Sequence, residues 1–290
     1  MLGVSSAVDP SSSGAPETPA LISGLIDDSA LFVPREAEMA DALRAYLDVR
    51  AGERAELLGA FLCQASRLPE LITELIKIRP AEPLPLSLII DTGMGGVPKA
   101  ISIVESREEL LRLDMVEMPA PSDVDEVWLE RVSEFVPEDV VRVVEPRRGN
   151  GWLDGVRKVV EHGSRPKIRC GGPSVENFPS VTEVADFIAA VNELPGSSFK
   201  ATNSLHRAVR HTDDNGVAHH GFVNLLVAAG RALQGGDIAG ALGCTDGAEL
   251  AGEVRTMSEE SARALRGLFA SCATPTRDEP FSDLTELGLL

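Results

Sequence analysis

Two short runs hold cations at a spacing that could do chemistry: Lys167-Ile168-Arg169-Cys170-Gly171-Gly172 and Phe199-Lys200-Ala201-Thr202. Both read as β-strands, and strand side chains alternate between two faces. If Ile168, Cys170, Phe199 and Ala201 face a helix layer, then Lys167, Arg169, Lys200 and Thr202 face the opposite side. Two neighbouring strands would then bring three cations into one confined space. Burying unpaired cations is costly, so an anion is expected among them. Gly171 and Gly172 follow Arg169 directly, where backbone N–H groups can approach an oxyanion or phosphate. A lysine enclosed beside other cations has its pKa lowered and can act as a base or form a Schiff base, which is the expectation for Lys200.

The acids and histidines form a second set. Asp27, Asp91, Glu117 and Glu145 each lie at the predicted C-terminal end of a strand, the face where a barrel places its chemistry. Asp91, Glu117 and Glu145 are candidate ligands for Mg²⁺ or a similar hard cation, and Asp27 is a further acid beside them. His206 and His211 flank Arg207 and Arg210 just after the second cationic run. Either histidine could move a proton, and Arg210 could join Arg169, Gly171, Gly172 and Thr202 in holding an anion. A zinc site made of histidines alone would require His206, His211 and one of His219 and His220 to converge; adjacent histidines point apart, so only one of that pair could take part. Asp213-Asp214-Asn215-Gly216 reads as a turn, and Cys170 as a small core residue. Gly-x-Ser-x-Gly and His-Glu-x-x-His are absent from the sequence.

The elements that must position these groups repeat as strand then helix. Strands are predicted over 20–26, 57–65, 86–90, 115–118, 140–144, 167–170 and 198–202. Helices are predicted over 37–50, 69–78, 99–113, 123–135, 152–162 and 181–194. The apolar run 221–229 is taken as the eighth strand, and 258–269 as a helix capped by Ser258. Repeated β-then-α order implies parallel strands with right-handed crossovers. Eight such units fit a closed (β/α)8 barrel, with an open doubly wound α/β sheet as the alternative. No Gly-x-Gly-x-x-Gly follows the first strand, so no nucleotide cofactor motif is present. The expected organisation is a disordered leader over 1–19, a barrel over 20–240 and a helical C-terminal extension over 241–290.

The net charge of −18 argues against nucleic acid as a partner, because no basic stripe is available for a phosphate backbone. The four cysteines form no Cys-x-x-Cys pair, and no apolar run is long enough to span a membrane. These features point to a cytoplasmic protein with reduced thiols, with a homo-oligomer as one arrangement.

Five phrases carry a resemblance: Gly24-Leu25-Ile26-Asp27-Asp28-Ser29-Ala30-Leu31-Phe32, the two cationic runs, Leu205-His206-Arg207-Ala208-Val209-Arg210-His211, and His220-Gly221-Phe222-Val223-Asn224-Leu225-Leu226. In these the chain resembles a family of uncharacterised actinobacterial-type proteins, over nearly its whole length after residue 20. The resemblance implies a (β/α)8 barrel and no activity. More loosely, carboxylates ending strands three to five followed by a lysine on strand six resemble the layout of enolase-superfamily barrels. The expected function is an enzyme acting on a small anionic metabolite, phosphorylated or carboxylic, at the C-terminal mouth, as a lyase or isomerase. The alternative is a non-catalytic anion-binding or scaffold barrel whose charged mouth is a structural ion-pair network.

Overall fold

The computed structural model describes residues 20–290; the leader expected over 1–19 lies outside the described residues. Eight strands close into a parallel barrel: β1 (Ile26–Asp28), β2 (Leu58–Gln64), β3 (Leu84–Ile89), β4 (Leu111–Pro119), β5 (Val141–Glu145), β6 (Arg165–Arg169), β7 (Phe199–Thr202) and β8 (Phe269–Thr274). Each strand pairs with its sequence neighbour, and β8 closes the ring between β7 and β1. Closure leaves no open edge, so the chain is a (β/α)8 barrel and not an open sheet.

Six helices follow the first six strands: α1 (Met39–Arg50), α2 (Leu68–Ile78), α3 (Val97–Glu105), α4 (Glu126–Phe135), α5 (Trp152–Glu161) and α6 (Val181–Asn192). Local chemistry sets their starts. The Asp125 carboxylate accepts from the Trp128 N–H, and Ser180 with Glu183 forms a reciprocal capping box at the start of α6. Apolar faces of these helices pack on the outward residues of the strands. Phe199, for example, stacks on Phe269 and meets Phe187 of α6 edge-on.

The eighth unit corrects the expected layout. Residues 221–229 are not a strand. They open α7 (Phe222–Leu233), followed by α8 (Ile238–Gly243), α9 (Gly247–Thr256) and α10 (Glu259–Leu268). Helix α7 is buried nearly all round because the later helices cover its outer side, which is why its sequence carries no polar face. The real eighth strand starts at the residue after α10. The barrel therefore extends through residue 274, and 241–290 is not an extension packed on a finished barrel. Helix α11 (Asp278–Glu286) follows, tied to the loop after β7 by Asp283, which accepts from Arg207 and from the Ala208 N–H. No helix among the described residues is long and apolar enough to cross a membrane.

Candidate functional site

The inward faces of the strands fall as their alternation requires. Lys167, Lys200 and Thr202 are buried inside the barrel, while Ile168, Cys170, Phe199 and Ala201 belong to the outer core. Burial pushes the Cys170 thiol up to about 12, in keeping with a packing residue.

The anion expected among the three cations is supplied by the chain. Lys200 Nζ lies 2.7 Å from Asp27 Oδ2 and 2.5 Å from Glu117 Oε1. Lys167 Nζ lies 2.8 Å from Glu117 Oε2 and 2.9 Å from Glu145 Oε2. Arg169 closes the series with two bonds to Glu145, at 2.8 and 3.2 Å. Strands β1, β7, β4, β6 and β5 thus hold one chain of alternating sign: Asp27, Lys200, Glu117, Lys167, Glu145, Arg169. Three acids and three cations make it neutral. The remaining lone pairs are used as well. Asp27 accepts from the Ala60 N–H and the Ser271 hydroxyl, both at 2.7 Å, and Glu117 accepts from the Ser87 hydroxyl at 2.6 Å.

This pairing fixes the protonation states. Burial alone would raise the Glu117 carboxyl, but Lys167 and Lys200 outweigh it and hold the group well below the usual carboxylate range. Glu145 follows the same pattern: burial opposes ionisation, and Lys167 and Arg169 favour it more strongly. Burial would lower both lysines, yet Glu117 and Glu145 push Lys167 up, and Asp27 and Glu117 push Lys200 up. The lowered Lys200 pKa expected from sequence is therefore reversed. An ammonium held between two carboxylates is a poor base and a poor Schiff-base nucleophile.

The ion-pair chain runs through the barrel from end to end. Asp27, expected as an acid of the C-terminal mouth, instead borders a recess on the N-terminal face beside Arg165 and Ser271, because it is tied to the start of β2 through the Ala60 N–H. Glu145 and Arg169 line a cleft of about 530 Å³ at the C-terminal mouth, shared with Arg147, Arg148, Trp152 and Asn177. Arg148 is tied down by Glu183 at 2.9 Å, whereas Arg147 is exposed. A recess of about 640 Å³ on the opposite face, near Arg142 and Ser198, is remote from the mouth.

Asp91, Glu117 and Glu145 do not form the expected cation site. Both oxygens of Glu117 are engaged by lysines inside the barrel, while Asp91 sits at an exposed edge and accepts from Ser66. Among the described residues, the three metal-ligating side chains that come within 4.8 Å of one another are His206, His211 and His219.

Gly171 and Gly172 have a packing role. A Cβ on Gly171 would collide with the Ser204 side chain, and one on Gly172 would meet Asn177 at 2.7–2.8 Å. The close approach of the loop after β7 explains Gly171, and the fold of the β6–α6 loop back on itself at Asn177 explains Gly172, neither requiring a bound anion. Thr202 lies near the mouth beside Asn203. Arg210 turns to His220, with its Nη1 3.3 Å from the ring Nδ1. His206 and His211 meet in the loop after β7, and neither bonds to a member of the ion-pair chain; burial lowers both pKa values. Sequence reasoning missed Ser87 and Ser271, which stand at small inward positions where a hydroxyl gives little pattern signal. A scan against known protein families finds no match, and a search of curated proteins finds none either.

Proposed function

We propose that the barrel is an enzyme acting on a small phosphorylated or carboxylic metabolite at its C-terminal mouth. The observation that carries this is the way the ion-pair chain ends. Asp27, Lys200, Glu117 and Lys167 are enclosed, but Arg169, the outermost cation, keeps 46% of its side chain exposed and faces the mouth cleft beside Glu145 and Arg147. Burying charged groups costs several kcal/mol per ion after relaxation, and apolar residues of like volume would often fill the space with equal or greater stability. Such a chain leading to a half-open arginine suits a site better than a core.

In this reading an anionic group of the substrate takes bonds from Arg169, in competition with Glu145. Glu145, then held by Lys167 alone, accepts a proton from the substrate. The Lys167 ammonium, kept protonated by Glu117, stabilises the negative charge that develops, and the Glu145 carboxyl returns the proton it took. Lys200 and Asp27 position Glu117. A lyase or isomerase step of this kind needs a proton to leave carbon and to be replaced elsewhere. No step is routed through magnesium, because the three carboxylates do not converge on one point. The likeness to the actinobacterial-type family belongs to this proposal and adds no activity to it.

The test is a thermal-shift series of phosphorylated and carboxylate metabolites on the wild-type protein and on Arg169→Gln. A ligand at 100 times its dissociation constant stabilises the native state by about 2.7 kcal/mol. A metabolite that raises the melting temperature of the wild type but not of the variant supports the reading and names the substrate class. The opposite reading, a structural network, is favoured by one observation: each cation of the chain already has a carboxylate partner. If no metabolite stabilises the wild type, or if those that do stabilise Arg169→Gln equally, the enzyme reading falls.

A further inference from the structure

The loop between β7 and α7 holds a second constellation, independent of the ion-pair chain. It begins with two non-glycine residues in the left-handed region, Asn203 at φ 65° and Ser204 at φ 56°. Such consecutive conformations are costly and cluster at functional sites. The chain then forms a short antiparallel ribbon of His211–Thr212 and Ala218–His219, joined by the turn Asp213-Asp214-Asn215-Gly216. The pairing places His211 directly opposite His219. His206, from the first part of the loop, completes a triangle. Ring centroids lie 4.9 Å apart for His211 and His219, 5.5 Å for His206 and His211, and 5.7 Å for His206 and His219.

The hydrogen bonds around these rings leave one nitrogen free where a ligand would need it. His211 Nδ1 lies 3.3 Å from the Val209 carbonyl, which fixes its proton there and leaves Nε2 as a lone pair. His219 Nε2 lies 3.4 Å from Asp213 Oδ2, and its Nδ1 is buried with no hydrogen-bond partner. Buried polar atoms are rarely left unpaired, and an orphan asks for an explanation. His206 makes no hydrogen bond to another described residue through its ring, so either nitrogen can serve. A histidine that binds a metal through one nitrogen and donates from the other to a carboxylate or backbone carbonyl is the usual support of such sites. His220 faces away, held by Pro179 and Arg210, and takes no part.

We propose that His206, His211 and His219 form a binding site for a divalent transition-metal ion of the zinc class, with Asp213 and the Val209 carbonyl orienting two of the ligands. Three imidazoles suit zinc, cobalt or nickel and not magnesium, which prefers oxygen. Three protein ligands leave a fourth tetrahedral position for water or a substrate atom, the arrangement of catalytic zinc and not of closed structural sites. His219 is buried while His206 and His211 are half-buried, so the open position faces the outside of the loop on the C-terminal side of the barrel.

The experiment is a titration of untagged, chelator-stripped protein with Zn²⁺ by calorimetry, and with Co²⁺ by visible absorption. The proteins are the wild type, His206→Ala, His211→Ala and Asp213→Asn, each checked for fold by circular dichroism. The expected result is one ion per chain, tetrahedral Co²⁺ bands, and loss of both in either histidine variant. Asp213→Asn, which removes no ligand, weakens binding by about 10- to 100-fold and serves if a histidine variant misfolds. The proposal is overturned if the wild type binds no ion, or if the variants bind as the wild type does.

Discussion

Lys200→Met is the most direct probe of the barrel interior. The substitution keeps an unbranched side chain of similar length and removes the one ammonium that touches both Asp27 and Glu117. Glu117 retains Lys167 and Ser87, but Asp27 keeps only the Ala60 N–H and the Ser271 hydroxyl. A buried carboxylate is left without a cation. Removing one partner of a buried pair costs about 3–5 kcal/mol, and in a chain of this size each kcal/mol lowers the melting point by about 2–4 °C, so a fall of roughly 10 °C is expected. The second variant, Lys200→Met with Asp27→Asn, removes the stranded charge. It should recover about 2 kcal/mol relative to the single variant, because the two sites are in contact and do not act additively. Calorimetry and urea denaturation followed by Trp128 and Trp152 fluorescence would measure both. If Lys200→Met costs under about 1 kcal/mol, or if Asp27→Asn only adds to the loss, the six residues are not one electrostatic unit.

Other expectations follow from the same structure. Glu117 and Glu145 are held below their ordinary range, so their contribution to stability is complete above the unfolded value of about 4.5 and is lost as pH falls through the folded values. The urea midpoint should therefore drop between pH 5 and 3, and Glu117→Gln should flatten that drop; equal slopes in both proteins would contradict it. Lys167 and Lys200 are pushed up, so their contribution persists below the ordinary lysine range and fades only as pH rises through the raised values. Burial pushes the Cys63 and Cys170 thiols up to about 12, and Cys272 is fully buried as well, whereas Cys244 is partly exposed. A thiol reagent should modify Cys244 first and reach the other three only after denaturant is added; rapid reaction at Cys170 would refute the packing. Gly171→Ala should cost about 1–3 kcal/mol through overpacking against Ser204 and Phe178, read as a lower urea midpoint, and Ser204→Gly should restore part of it.

Six of the eight strands overlap runs that the sequence marks as strands, most of them apolar and stopped by an acid, a glycine or a turn, whereas the expected run 20–26 meets β1 (Ile26–Asp28) only at Ile26 because its first residues form a turn. Residues 221–229 defeated that reading for a physical reason. A continuous apolar run looks the same whether it is a strand buried on two faces or a helix buried all round. Helix α7 is the latter, and only the helices that cover it settle the matter. The true β8 was hidden because it starts at Phe269 with no turn after Leu268, and its register shifts between Phe269 and Ser271. The alternation in 167–169 and 199–202 was enough to turn Lys167, Arg169, Lys200 and Thr202 inward. It could not say which acids would meet them, since Lys200 lies 83 residues from Glu117 and farther still from Asp27. The histidine triangle was within reach of the sequence. A ribbon built around the turn at 213–216 sets His211 against His219, but two-residue strands are too short to show a period.

The closure of β8 against β1 has a temporal consequence. Asp27 and Ser271, which bond to each other, are separated by 244 positions. As the chain is synthesised from its N-terminus, β1 to β7 are complete while roughly 70 residues remain before the end of β8, a wait of about 4–14 s at cellular rates. During that interval β1 and β7 each present an unpaired edge, and Asp27 and Lys200, which stand on those two strands, lack the strand that closes the wall between them. Contacts of such long range are also slow to form in an intact chain. The nascent seven-stranded sheet is therefore the species most exposed to aggregation, and the stretch α7–α10 that delays β8 is what sets how long it lasts.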